Sequence, residues 1–502
     1  MRRVAALMIC LSLTVPSLGA LRPTNWEQWR GPKRDGKSTD KGLLKKWPSA
    51  GPKLLWKNTE TGEGYASVVV GGDLVYTAGK RGGSLVITAL DMSGRKVWQV
   101  DHGRAWTKNY PGSRGTPTYD NGLLYVLSGH GSLVCYDARS GSKKWNVDIT
   151  SQFGGRPANW GYSEAPLVNA SYVAVTPGGS KCIVALNKRT GSPIWTSSGF
   201  NHPAHYASLI EFEYQGVPML ATLTSRSMVA VNAKTGRFLW ENLRAAGRTA
   251  VCPSPVYENG YVFGASGYGN GGACVKLVVS GGQVRADQVW ETKDMVNHHG
   301  GYVVVDGYIY GHSDRGGWTC LELSSGRKMW SDRGVGKGSV CWADGMLYTY
   351  SENGGRLALV EAKTSGYAAA GEIRVDGPPR EKRVKSWAHP VVTGGRLYVR
   401  YWDVLSVYDV GDQNYRPPAP PRPKVVTPPS RATSRPETSW RRPSRSLPPA
   451  TPEVKAKRML SMARNFLANG ARTMAKRKLE ELVKKYPDTE TAETARDMLR
   501  DM

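Results

Sequence analysis

From about Val68 to Val410 the chain is written in short apolar runs separated by turns rich in Gly, Asp and Asn. Runs such as Leu123–Leu127 are too short for helices, and Gly or turn formers interrupt every candidate helix, so the pattern predicts strands. The grammar repeats: an apolar strand, a turn such as Asp120-Asn-Gly122, a second strand, then a segment running from Asp or Asn through Gly to Trp. Its most regular copy is Val231-Asn-Ala-Lys-Thr-Gly-Arg-Phe-Leu-Trp240. Versions recur at Leu90–Trp98, Tyr136–Trp145, Leu186–Trp195 and Leu321–Trp330, and a looser one ends at Trp290. Asp91, Asp137, Asn187 and Asn232 leave one strand. Gly94, Gly141, Gly191, Gly236 and Gly326 supply a permissive turn backbone. The Trp on the returning strand is then placed to pack against a neighbouring unit.

Units fall at about 68–100, 116–147, 165–197, 207–242, 254–292, 301–332 and 339–375, the last without a Trp on a less regular outer strand. An eighth, about 389–410, lacks its final Gly-x-x-x-Trp strand, while Leu54–Lys57 matches such a strand with no repeat before it. That complementarity predicts an all-β, eight-bladed propeller of four-stranded blades over 51–415, closed by the N-terminal strand; seven blades is the alternative count. Trp56, Trp98, Trp145, Trp195, Trp240, Trp290 and Trp330 are its expected structural residues. From Arg416 to Pro452 the chain turns Pro- and Arg-rich, the composition of an extended linker. Apolar positions at helical spacing then return over 453–502, with Met459, Ala463, Phe466 and Leu467 on one face and Ala475, Leu479, Leu482 and Val483 on another.

At the other end, Met1–Ala20 has the anatomy of a secretory signal: Arg2 and Arg3, an apolar run from Val4 to Val15, then Ser17-Leu-Gly-Ala20. Residues 21–50 read as an irregular lead-in. No apolar run is long enough for a membrane span. The protein is therefore expected to be exported, to the periplasm or beyond. The formal net charge is +27, and residues 411–502 carry 20 Lys and Arg against 10 Asp and Glu. Such a balance suits an acidic partner, such as an anionic polymer, or simply solubility; no nucleic-acid partner is expected. Six cysteines remain after the signal (Cys135, Cys182, Cys252, Cys274, Cys320 and Cys341), with no Cys-x-x-Cys pair. This predicts buried thiols rather than a zinc site or a disulfide scaffold.

The Asp/Asn-x-x-Thr/Ser-Gly-x-x-x-Trp repeat resembles the tryptophan-docking repeat of quinoprotein-like propellers. That superfamily holds the pyrroloquinoline quinone (PQQ) dehydrogenases and the BamB outer-membrane assembly lipoproteins. Trp29-Arg-Gly-Pro32, Trp160-Gly-Tyr-Ser-Glu164, His298-His-Gly-Gly301 and Trp387-Ala-His-Pro390 resemble the exported BamB-like or polyvinyl-alcohol-dehydrogenase-like members. Helical positions Ala475, Leu479, Tyr486-Pro487, Ala492, Ala495 and Leu499 resemble a tetratricopeptide repeat. The resemblance to PQQ dehydrogenases implies an adjacent Cys–Cys pair, a Glu/Asn/Asp calcium site and an Asp base. The chain has no Cys-Cys dipeptide, and no position matches the other two.

The segments before each blade's first strand should gather at one mouth of the central channel. They carry Arg114, Trp160, Glu164, His205, Tyr206, Arg248, His298, His299, Lys337, Trp387 and His389. Stacking and cationic groups recurring at equivalent places suggest a pocket for an anionic or polyhydroxylated ligand, or else strand caps and channel filling. Glu164 is expected to balance Arg114 or Lys337. No metal site is expected, because adjacent His298 and His299 on a strand would point opposite ways. The reading that follows is a non-enzymatic binding or assembly scaffold of the cell envelope. It would hold a protein partner through the propeller surface or the helical tail, with no cofactor and no catalytic residue. A PQQ- and Ca²⁺-dependent alcohol or sugar oxidoreductase, and an anionic-glycan binder, are the alternatives.

Overall fold

The computed structural model describes residues 26–379, 382–415 and 472–500, together with a few positions between 452 and 463. The signal, the linker, Phe466 and Leu467 lie outside the described residues. The chain divides into two units, Met1–Ala419 and Pro420–Met502.

In the first unit, eight antiparallel four-stranded sheets are described, seven of them built from four consecutive strands. The eighth combines Val391–Thr393, Arg396–Tyr401 and Val404–Asp409 with Lys53–Asn58. Lys53 pairs with Asp409 and Asn58 with Leu405, with a bulge between Leu54 and Trp56. The protein is an eight-bladed β-propeller closed by its N-terminal strand, and the orphan Trp56 strand is what announced it.

Seven of the eight blades carry a tryptophan on the outer strand that packs against the next blade. Gly94, Gly141, Gly191, Gly236 and Gly326 all have φ between +72° and +84°. A Cβ on them would fall 2.5–2.9 Å from the indoles of Trp56, Trp98, Trp145, Trp195 and Trp290 respectively, each on the preceding blade. Glycine is thus required twice, by the left-handed turn and by the ring lying on it. The indole N–H groups complete the contact: Trp56 donates to Met92 O (3.0 Å), Trp98 to Ala138 O (3.0 Å) and Trp145 to Lys188 O (3.1 Å). Trp290 and Trp330 donate likewise to Leu323 O and Lys363 O. Most of these rings stay half-buried, against the simple expectation of burial. Trp240 alone of the seven is buried, sharing a cluster with Leu277 and Val284 of the long fifth-blade hairpin. Trp240→Ala should therefore cost about 3–5 kcal/mol, and more than Trp98→Ala. Equal losses in urea denaturation would show that the long hairpin does not add to the contact.

In the seventh blade the outer strand, Ala369–Arg374, is present and paired. Ala370 stands four residues after Gly366, where other blades carry Trp. Trp47 of the lead-in fills the place: its backbone N–H donates to Ala370 O (2.9 Å), its ring lies against Gly371, and it is buried, although its indole N–H makes no hydrogen bond.

The lead-in is irregular but not peripheral. Trp26 pairs with Val70, Lys37 with Trp342 and Leu43 with Gly411, so the segment passes from the first blade to the seventh and eighth. Between these, Arg34 is buried and donates to the carbonyls of Ala165 (2.8 Å), Pro166 (3.2 Å) and Leu209 (2.6 Å), at the third and fourth blades. Arg30, also buried, donates to Tyr302 O of the sixth. A strand-less segment survives inside the ring because these guanidinium groups satisfy carbonyls left by the inner strands.

In the second unit, helices Arg472–Lys485 and Glu490–Arg500 pack Leu479, Leu482, Ala492 and Ala495 with Ala456, Leu460 and Ala463. Thr489 Oγ1 accepts from Ala492 N (3.2 Å), capping the last helix, whose first turn carries Glu490 and Glu493.

Candidate functional site

The segments that enter the inner strands converge on one face and line a cavity of about 180 Å³. Seven of the sequence-selected residues meet there: Arg114, Trp160, Tyr206, His298, His299, Trp387 and His389. Trp29 of the lead-in also lines it, with its ring 4.6 Å from that of His389. Trp387 is the hub, its ring 4.7 Å from Tyr65, 5.0 Å from Tyr110 and 4.9 Å from His299. Opposite, Trp160 and Tyr206 lie 5.8 Å apart. Tyr110 and Tyr268, about half exposed, form the rim.

His298 and His299 sit on a bend, not a strand, and their rings stack at 4.8 Å with 19° between planes. Both therefore face the cavity, contrary to the alternation expected of a strand. His299 Nε2 donates to Glu352 (2.8 Å), which also accepts from Trp387 Nε1 (2.9 Å). Burial pushes the Glu352 carboxyl up, but these hydrogen bonds outweigh it and hold the group far below the usual carboxylate range. His298 Nδ1 lies 2.9 Å from Lys337 Nζ, which pairs with Asp314 at 2.8 Å. Burial, aided by His299 and Lys337, pushes the His298 imidazole down to about 3, and burial beside Arg30 does the same to His389.

Arg114 stacks over Trp106 and donates from Nη2 to Asn109 O (3.0 Å) and Tyr110 O (2.8 Å), while its buried Nε meets no acceptor. Burial lowers its pKa to about 10. It has no ion pair with Glu164, which lies elsewhere. Glu164 is buried behind the third blade's inner strand, and its Oε1 accepts from Thr176 N and Oγ1, both at 2.7 Å. Its charged neighbour is Arg34, not Arg114 or Lys337. His205 and Arg248 line an adjoining cleft of about 580 Å³ with Arg156 and Arg226.

Sequence reasoning missed Trp29, Tyr65, Cys252, Tyr268 and Glu352. Tyr65 and Cys252 lie in the same linkers and could have been found. Tyr268 and Glu352 come from second-to-third-strand loops, which open on the same face. The six cysteines among the described residues are free thiols, and of these Cys252 borders the cavity.

Burial raises the Glu164 carboxyl to about 7, partly offset by Thr176 and Arg34. A raised folded pKa means the native state keeps a proton that the unfolded chain has released, so stability falls as pH rises from about 4.5 to 7. Glu164→Gln keeps an acceptor for Thr176 and should remove this loss, on the order of 3 kcal/mol. Urea denaturation across that window checks it; a variant losing more stability than wild type would mean the ionised carboxylate stabilises the fold through Arg34.

A family model described as outer membrane protein assembly factor BamB matches residues 81–332, half of the chain. The chain belongs to this family of PQQ-like propellers. Proteins of the BamB description from Nitrosomonas eutropha and Moranella endobia are 26% identical over 243 residues and 25% over 292. The matches cover 40% and 51% of this chain, and 58% and 66% of those proteins, less than two thirds of either. Among solved structures, BamB from Moraxella catarrhalis aligns with a TM-score of 0.53 at 12% identity, over 72% of this chain and 99% of that one. Quinohemoprotein alcohol dehydrogenase from Comamonas testosteroni aligns with 0.55 at 12%, over 80% and 83%. At such identities the likeness is one of fold.

A calcium-held quinone, which the repeat's resemblance to PQQ dehydrogenases implies, is not matched by the carboxylates near the mouth. Calcium takes six to eight oxygen ligands. Here Glu352 is engaged by His299 and Trp387, and Asp314 by Lys337. Among the described residues no three His, Cys, Asp or Glu side chains gather as a metal set.

Proposed function

We propose that the protein is an exported, non-enzymatic PQQ-like propeller that serves as a binding scaffold in the cell envelope. One observation carries this reading: the mouth is a preformed aromatic cavity whose nearby carboxylates are already committed to internal hydrogen bonds and ion pairs. Such a surface is organised to hold a ligand, with no carboxylate left free to shuttle protons. The signal-like N-terminus supports export, and membership of a family described by outer-membrane assembly supports an envelope protein as partner, held by the propeller's outer surface or the helical tail. Photo-crosslinking from exposed Arg496 and Leu243, combined with cell fractionation, should place the chain in the envelope and yield a defined protein adduct. A cytoplasmic chain without adducts contradicts the scaffold. Titration of the full chain with PQQ and Ca²⁺ should show neither stoichiometric binding nor dye-linked alcohol oxidation. Turnover would establish the quinoprotein reading instead.

A further inference from the structure

The aromatic mouth and the cleft beside it adjoin, since Trp160, Tyr206 and Ala250 line both. Their combined lining contains no Asp or Glu and no Leu, Ile, Val, Met or Phe. Its rings are Trp, Tyr and His, flat surfaces with polar edges. Its charges are the guanidinium groups of Arg114, Arg156, Arg226 and Arg248, none of which forms an ion pair among the described residues. Arg114 is the telling one: it is drawn out of water, its neighbouring ionisable groups are Tyr65, Tyr206 and Cys252, and its Nε is unused. A half-buried cation without a counter-charge beside a cavity is a place prepared for an anion. In the cleft, His205 Nδ1 accepts from Val251 N (2.9 Å), which leaves the ring proton on Nε2 as a neutral donor.

We propose that mouth and cleft together form one extended site for an acidic oligosaccharide. The apolar faces of its sugar rings lie on Trp160, Tyr206 and the Trp387 cluster, and its acidic groups pair with Arg114 and the three cleft arginines. Guanidinium matches a planar carboxylate or a sulfate through two parallel hydrogen bonds. A neutral sugar is held mainly by acceptors for its hydroxyls, and the lining has no carboxylate to serve. A peptide added as a strand needs an open sheet edge, and a helix needs an aliphatic groove; both cavities are walled by loops and lack branched aliphatic side chains. The peptide competitor is therefore an acidic one on the arginines, which an oligoglutamate probe represents.

The inference rests on the reading of the mouth as a binding site, and calorimetry on the full chain tests it. The probes are an oligogalacturonate, its neutral methyl ester, a sulfated oligosaccharide and an oligoglutamate of similar charge. One of the two acidic sugars should bind, and which one does decides between uronate and sulfate. The methyl ester, or oligoglutamate, should bind at least about tenfold more weakly. Arg114→Gln, the triple change R156Q/R226Q/R248Q, and Trp160→Ala should each weaken binding at least about tenfold with unchanged melting. Equal binding of oligoglutamate, indifference to the arginine variants, or no binding of either acidic sugar overturns the proposal while leaving the scaffold reading intact. Quinone-dependent oxidation of the bound sugar would overturn the scaffold reading and keep the site.

Discussion

Replacing residues 51–58 with a Gly/Ser linker of equal length should abolish the cooperative fold of the whole propeller, not fray one end. The strand Lys53–Asn58 supplies the fourth strand of the last blade along five partner pairs. Its Trp56 also lies on Gly94 and donates to Met92 O of the first blade. The segment is therefore both an edge cover and the joint across which the ring closes. Without it, Val404–Asp409 presents an unpaired edge, and the eighth and first blades lose the docking contact that other neighbours keep. The expected loss is on the order of 5 kcal/mol or more, comparable with the whole net stability of a domain. Thermal scanning should show the main transition lost or moved far down. A transition at the wild-type temperature would mean the ring holds without the strand.

The second large effect is expected at Arg400, which is 1% exposed in the second strand of the last blade. Its Nε donates to Trp402 O (2.8 Å) within the blade. Its terminal nitrogens reach the first blade and its approach, meeting the carbonyls of Gly62, Ala66 and Ala78 and the hydroxyl of Thr77 at 2.6–3.0 Å. No carboxylate pairs with it at salt-bridge distance among the described residues, and burial lowers its pKa to about 9. The guanidinium stays because five acceptors surround it. Arg400→Met leaves those acceptors without a donor, at about 1–3 kcal/mol each, so a loss above about 4 kcal/mol is expected. Arg400→Lys should recover less than half, since an ammonium cannot span the same fork. A full rescue by Lys would show that charge, not geometry, is what the site uses.

Both predictions concern the seam between the last and first blades. Trp56 was legible as half of that seam because its strand matched a repeat that was missing elsewhere. Arg400 was not: a single Arg in an apolar strand reads as an ordinary alternating position until the neighbouring blade is in place. Trp47 is similar: the missing tryptophan of the seventh unit was legible in the repeat, but that a lead-in residue fills its place at Ala370 appears only in three dimensions.

The candidate site was legible in the same uneven way. Linker residues such as Trp160, His299 and Trp387 could be selected because equivalent positions of a repeat return to one face. Glu164 sits in such a linker yet turns inward to Thr176, since one position along the linker changes which side faces the core. His298 and His299 both reach the cavity because a bend releases them from strand alternation.

The sequence by itself determined the ring: blade number, the docking Gly and Trp, and the closing strand are all local patterns repeated along the chain. Repetition makes a local preference a global one, since each unit can bury its faces only against its neighbours. The tertiary structure alone decided what occupies the axis. Trp29, Arg30 and Arg34 lie in a segment with no periodicity. The two arginines bond carbonyls of several different blades, and Trp29 meets the His389 ring; these partners become neighbours only once the ring has closed.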